Sequence, residues 1–507
     1  MPWYYKNPIL HADYADPDLI RSGADFWMVS SSFNHLPGIP LLHSRDLVHW
    51  TLVNHVVPRL PSENYDRVQP GKGIWAPSLR YHAGRYWVFF SIPDEGIYVC
   101  HTANPLGSWS EPHCLKQVAG WIDPCPFWDD DGRAWLIHAF AWSRSGIKNK
   151  LQLIEMAPDA SRLLDQGKII FDGTPSHPTL EGPKLYKRHN EYWIFAPAGG
   201  VKRGWQTVLR SRHLHGPWLS RDVLHQGESP VNGPHQGGWV ELENGESWFL
   251  HFQDKGLYGR ILHLQPMHWQ QDGWPLIGEP LDETGKGQPV LNHRAPDLPC
   301  YPQEMQTSDA FLSGQPGKQW QWQANPRSDW LLPGSPGLRL RCAPLADKEG
   351  TLALYATPQL LLQKFPAVRF SVTTVITPDF QQSGDEAGLV IYGERYAALI
   401  LCQQQGRLLV GLRHGWINDR GGLTEQLLLI DDVSGCAVAE LACDIGYDGI
   451  GHFRYRRASH GDWQPVTPPF SAGAGKWVGA KTGIYAASGH NHSAGHARFT
   501  HFIVSSK

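Results

Sequence analysis

The sequence predicts an all-β chain: a five-bladed β-propeller over residues 1–300 followed by a β-sandwich over residues 301–507. Three observations carry that prediction. Helical periodicity is nearly absent, and short apolar or aromatic runs alternate with Gly, Asn and Asp turns. A turn-plus-aromatic unit recurs five times in the first half. A proline-bearing stretch from Asn292 to Asp309, with Pro296, Pro299 and Pro302, reads as a linker to a second set of β-rich runs. At 507 residues more than one core is expected.

The repeated unit is a tight turn and then a strand holding tryptophan. It reads Gly23-Ala24-Asp25-Phe26-Trp27, Gly84-Arg85-Tyr86-Trp87, Gly132-Arg133-Ala134-Trp135, Asn190-Glu191-Tyr192-Trp193 and Gly245-Glu246-Ser247-Trp248. The tryptophans are spaced by 60, 48, 58 and 55 residues, which suits five blades, each a small antiparallel sheet. A second repeat ends in Trp50, Trp109 and Trp218 and reads as outer blade strands. After the linker, Phe370 to Thr377, Ala387 to Tyr392, Tyr396 to Cys402 and Arg407 to Arg413 predict the two-sheet sandwich. No carboxylate cluster there looks catalytic. The sandwich is read as a packing domain that walls a pocket or builds a homo-oligomer, ahead of a carbohydrate-binding module.

Composition narrows the partners. With 45 Lys+Arg against 48 Asp+Glu there is no basic face for nucleic acid. Tryptophan numbers 23, and a flat apolar face with one N–H donor suits the C–H faces of sugars, although most of these rings are expected in cores. The eight cysteines form no CxxC pair, so reduced thiols are expected. No run reaches the roughly 18 apolar residues of a membrane span. The first twenty residues, with Asp13, Asp16 and Asp18, are not a signal peptide. A cytoplasmic chain is expected, or a secreted one whose leader has been removed.

Counting back from the repeated tryptophans locates the chemistry. Eleven before Trp27 is Asp16, twelve before Trp87 is Trp75, twelve before Trp135 is Asp123, twelve before Trp193 is Glu181, and thirteen before Trp248 is His235. First strands of propeller blades line the central channel, so these positions should converge. A single Asp before Pro is ordinarily a turn former. Three carboxylates in register beside aromatic groups point instead to a site. Crowding and burial raise at least one carboxyl pKa and leave a proton available near neutral pH. Glycosidic cleavage needs that division between an acid and a base or nucleophile.

At these residues the sequence resembles glycoside hydrolase family 43. The motifs are Asn7-Pro8-Ile9-Leu10 leading to Asp16-Pro17-Asp18, Gly73-Ile74-Trp75-Ala76-Pro77, Ile122-Asp123-Pro124, Leu180-Glu181-Gly182-Pro183 and Tyr258-Gly259-Arg260. The resemblance covers residues 7 to 280, and the remainder looks like the jelly-roll or concanavalin-like C-terminal domain of its β-xylosidases. It implies an inverting enzyme with Asp16 as general base, Glu181 as general acid and Asp123 orienting the acid. Strand alternation puts Asp18, two residues on, on the same face as Asp16, which makes it the fallback base. Inversion places the two carboxyls roughly 6.5–9.5 Å apart. The resemblance further implies that Trp75, Phe33, Arg260 and His235 bind substrate. It implies no required cofactor, and a structural calcium held through water near His235. The expected activity is exo-acting release of β-D-xylose or α-L-arabinofuranose from xylo- and arabino-oligosaccharides. The alternatives are an endo-acting arabinanase or xylan hydrolase, and a non-catalytic sugar-binding propeller.

Overall fold

Each turn-plus-tryptophan unit folds as the second strand of a blade of four antiparallel strands, which in blade 4 is extended by two further short strands. The computed structural model describes residues 2–348, 350–457 and 461–506. The second strands are Asp25–Val29, Arg85–Ile92, Ala134–Phe140, Glu191–Ala198 and Ser247–Asp254. Their tryptophans are all buried, and each leans on the next blade. Trp27 meets Tyr86, Trp87 meets Trp128, Trp135 meets His215, and Trp193 meets Trp269 and Trp274. Trp248 meets Tyr5 and His293, which close the ring. The repeat is therefore the interblade packing layer, and burying each indole stabilises a junction by about 1.5–3 kcal/mol.

The ring closes through the N-terminus. Tyr4–Lys6 pairs with Asn292–Arg294, so the start of the expected linker is a strand. Asn7 donates to the carbonyls of Leu264 and Val290, both at 2.8 Å, and its side-chain oxygen accepts from the Leu264 N–H. The segments ending in Trp50, Trp109 and Trp218 are not outer strands. They join the third and fourth strands of blades 1, 2 and 4. Asp46 makes the first of these a turn by accepting from the N–H groups of Val48 and His49, and the Trp50 indole donates back to Leu47 O at 2.8 Å.

The inner strands carry the second repeat. At the head of each, one residue takes the left-handed conformation: Asp16 (φ 52°), Ala76 (33°), Asp123 (57°), Gly182 (56°) and Gln236 (41°). In the first four, proline follows directly. The ladders of blades 2, 3 and 5 slip at this point. This corrects the sequence register. Asp16 and Asp123 are equivalent, whereas Glu181 sits one residue earlier, level with Trp75, Ile122 and His235. Gly182 is the equivalent of Asp16 and Asp123. A Cβ there would lie 2.8 Å from Gln236 Cδ, in a conformation that already disfavours one.

The same kink corrects Asp18. Simple strand alternation would put it on the face of Asp16. Instead Asp18 is fully buried between blades, accepting from Leu79 N at 2.8 Å and from Arg80 at 2.7 Å, with Lys184 Nζ at 4.0 Å. It is a structural counter-ion.

The sandwich stacks two sheets around Val372, Ile376, Leu389, Leu399, Leu441 and Phe499. The expected strands are present as Phe370–Asp379, Asp385–Tyr392, Arg395–Gln404 and Arg407–Ile417. It docks on the propeller through paired backbone bonds between Leu36 and Trp322, 2.9 and 2.6 Å. Asp13 adds a second clasp, accepting from Arg260 N and, across the domains, from Gly479 N, each at 2.9 Å.

Asp18→Ala leaves Arg80 and Lys184 without their buried counter-charge, at a cost of about 3–5 kcal/mol. Thermal melts should show Tm lowered by about 10 °C, and an unchanged Tm would contradict the structural role.

Candidate active site

The heads of the inner strands surround a cavity of about 220 Å³. Asp16, Asp123 and Glu181 all line it, and so do Phe33, Trp75 and Arg260. His235 lies directly behind Glu181, with Nε2 2.8 Å from Glu181 Oε1. All seven residues singled out in the sequence thus belong to one place. A wider groove of about 870 Å³ opens between residues 66–70 and the sandwich loops. It includes no inner-strand residue, so the smaller cavity is the chemical one.

Each carboxylate has its own environment. Asp16 pairs with Arg260, whose Nη1 lies 3.0 and 3.2 Å from its two oxygens. It also accepts the Ser31 hydroxyl at 2.5 Å, and Ser31 Oγ in turn accepts from Ala76 N. A buried guanidinium and a hydroxyl fix the orientation of this side chain. Arg260 is therefore committed to Asp16 as well as facing the pocket. Asp123 accepts one backbone N–H, from Gly182 at 2.8 Å. Burial, then repulsion from Glu181 and Asp16, pushes its carboxyl well above the usual range. Glu181 is the most open of the three, with a side chain 24% exposed against 9% for Asp16.

Aromatic groups build the walls. Phe33, at φ 53°, is fixed by reciprocal backbone bonds to Ile74, and its ring stands edge-on to Trp75 at 6.3 Å. Trp75 spends its indole N–H on Gly71 O at 2.9 Å, which leaves its ring as an apolar wall.

Three polar or aromatic wall residues went unrecognised in the sequence. Gln236 stands immediately after His235, in the left-handed position of blade 5, and its Nε2 is buried without a hydrogen-bond partner. An unpaired buried donor beside a cavity is what a sugar hydroxyl would satisfy. Thr179 is the second. The third, Trp477, arrives from the sandwich, where the loop between Phe470–Ser471 and Lys481–Ser488 reaches over the pocket. Asp13 holding Gly479, the Arg260 guanidinium 5.9 Å from its ring centre and the neighbouring Gly71 set its position, and no motif in the sequence marks it.

As a calcium site the His235 region fits poorly. Calcium takes six to eight oxygens. Here there is one imidazole, with Nε2 against Glu181 and a buried Nδ1 without a partner. Among the described residues, the one close group of three His, Cys, Asp or Glu is Asp46, His49 and Cys300, on a turn away from the channel. No chemical step is routed through a metal.

A funnel with three carboxylates of unequal environment matches a known family. Residues 5–275 match the model for glycosyl hydrolases family 43. The chain belongs to glycoside hydrolase family 43. Residues 308–505 match the β-xylosidase C-terminal concanavalin A-like domain. Family 43 relatives span nearly the whole chain. An inferred β-xylosidase of Xylanibacter ruminicola is 36% identical over 94% of this chain and 85% of its own. A non-reducing-end α-L-arabinofuranosidase of Bacteroides ovatus is 26% identical over 81% and 78%. A solved xylan β-1,4-xylosidase of Bacillus halodurans superposes with a TM-score of 0.86 at 26% identity, covering 99% of this chain and all of that one. As a family 43 member the chain is an inverting glycoside hydrolase.

Two expectations follow from this geometry. Asp123 has a higher pKa folded than unfolded, so the native state holds an extra proton between the ordinary carboxylate range and the raised value. Above that window its charge destabilises the fold. Asp123→Asn should therefore raise Tm at neutral pH by about 2–5 °C. The gain should vanish as pH falls toward about 4, and melts across pH check it. Trp477→Ala should raise KM by about tenfold with a smaller change in kcat, measured by steady-state kinetics on a short substrate.

Proposed function

We propose that this enzyme releases single pentoses from the non-reducing ends of plant-derived oligosaccharides, with Asp16 as base, Glu181 as acid and Asp123 as their electrostatic partner. The observation that carries this is a cavity of about 220 Å³ with three carboxylates in its wall and Trp477 at its edge. It is below the roughly 300 Å³ at which drug-sized ligand sites begin. One sugar ring fits such a space, and a polysaccharide passing through does not, so attack is on chain ends.

The division of labour follows from the partners. Asp16, charge-matched by Arg260 and steadied by Ser31, accepts the proton of a water that attacks the anomeric carbon. Glu181 delivers a proton to the departing oxygen. Beside Glu181, burial and the repulsion from Glu181 and Asp16 push the Asp123 carboxyl well above its usual range. His235 orients Glu181 through the 2.8 Å contact and is a positioning residue. Arg260, Phe33 and Trp75 hold the ring, the guanidinium toward hydroxyls and the aromatic faces toward carbon.

The names of the relatives include both xylosidases and an arabinofuranosidase. Xylo-oligosaccharides come first because the β-xylosidase relative of Xylanibacter is 36% identical over 94% of this chain. An α-L-arabinofuranoside is the second reading, favoured by the Bacteroides relative. Distinguishing such sugars rests on about 1–3 kcal/mol of pocket contacts.

Glu181→Gln and Asp16→Asn should each lower kcat on unactivated oligosaccharides by at least about a thousandfold, with the protein still folded by circular dichroism. Near-normal rates in either would remove the assignment. Product NMR on aryl β-xyloside and aryl α-L-arabinofuranoside, run in parallel, ranks the two sugars and should show the inverted anomer first.

A further inference from the structure

Two of the eight cysteines are exposed, Cys114 and Cys300. Cys114 lies on the fourth strand of blade 2. Cys300 lies in the proline-bearing stretch between the two domains, and that stretch runs back against blade 1. There Tyr301 N donates to Asp46 Oδ2 at 2.8 Å, and Gln303 Nε2 donates to the carbonyls of His43 and His49 at 3.2 and 2.9 Å. A thiol is thereby brought onto the turn that holds Asp46. Sulfur of Cys300, a ring nitrogen of His49 and a carboxylate oxygen of Asp46 lie within 4.8 Å of one another.

Two of these three groups are fixed in advance. Asp46 is fully buried, and its Oδ1 accepts from Val48 N at 3.0 Å and His49 N at 2.8 Å. The His49 ring has Nδ1 2.7 Å from Asp46 Oδ2 and stacks on Trp3, with centres 5.6 Å apart and planes 20° apart. Trp3 is itself pinned to the linker, because its indole donates to Leu298 O at 3.0 Å. Hydrogen bonds and packing of this kind orient ligands before an ion arrives. Arg45, next to Asp46, is engaged by the Tyr301 ring and by Asp25. Cys300 is no activated nucleophile, since burial and the Asp46 charge push its thiol up. Carboxylate, imidazole and thiol together are the donor types that bind zinc.

We propose that Asp46, His49 and Cys300 bind one zinc ion, which clips the interdomain linker to blade 1. Sulfur and nitrogen donors select zinc over calcium or magnesium, which take oxygen. On binding, the thiol gives its proton to solvent, and the neutral ring turns the lone pair of one nitrogen to the ion. Three protein ligands leave the fourth tetrahedral position to water, on the side where Cys300 is exposed. The site is separate from the pocket, whose wall includes none of the three residues. Its effect is on the linker and on stability, and the hydrolytic chemistry does not pass through it.

The test uses the full chain without an affinity tag, stripped by a chelator and then titrated with zinc chloride. Calorimetry should show one zinc per chain with a Kd of about 1 μM or tighter. The affinity should fall as pH is lowered, because protons compete for the ligands. Cobalt(II) in place of zinc should give a thiolate-to-cobalt charge-transfer absorption. Cys300→Ser should abolish that absorption and weaken zinc binding by at least about a hundredfold, and Cys114→Ser should change neither. His49→Gln, which keeps the thiol, should also weaken binding. Zinc should raise Tm in the wild type and leave it unchanged in Cys300→Ser. All three variants should keep wild-type turnover. Failure of the wild type to take up stoichiometric zinc would overturn the site. So would equal zinc affinity in wild type and Cys300→Ser, or in wild type and His49→Gln, because the ion would then sit elsewhere.

Discussion

The site depends on a backbone constraint repeated five times, one left-handed residue at the head of every inner strand. Left-handed backbone costs a non-glycine residue about 1–2 kcal/mol, and four of the five here bear side chains. The four prolines that follow limit the chain to extended geometry on the far side. Together they turn neighbouring side chains out of strand alternation. Residues one apart, Glu181 and the equivalents of Asp123, then reach the same cavity, while Asp18 is sent into a blade junction. Such strain persists where surrounding structure over-determines it. Here the interblade tryptophans and the Asp18–Arg80–Lys184 cluster do so.

The electrostatics follow from that geometry. Three carboxylates share a small cavity with one guanidinium, and Arg260 is given to Asp16. The remaining two have only an N–H and an imidazole between them. Burial and repulsion push the Asp123 carboxyl well above its usual range. Carboxylates of like chemistry are set apart here by the partners each one keeps.

Much of this was legible in the sequence because it repeats. Five turn-plus-tryptophan units marked the blades, since each must bury an indole against its neighbour. Carboxylates at matching distances upstream marked the pocket. The one-residue offset of Glu181 was not legible, because a left-handed kink changes a count by one and leaves no composition signal beyond the following proline. The loops ending in Trp50, Trp109 and Trp218 were mistaken for strands because a tryptophan that bonds back into its own turn looks, in sequence, like one in a ladder. Gln236 was hidden by having no charge. Trp477 was hidden by distance, because its contact with the pocket is set by Asp13 holding Gly479, some 466 positions apart in the chain.

That last contact bears on the shape of the pocket. The funnel alone is open above its five strand heads, and an open groove would admit a chain in both directions. Leu36 with Trp322 and Asp13 with Gly479 fix the sandwich to blade 1 and the fifth-blade return, so its loop covers one side of the opening. The three carboxylates belong to the propeller, and one wall of their cavity, Trp477, belongs to the domain docked on it.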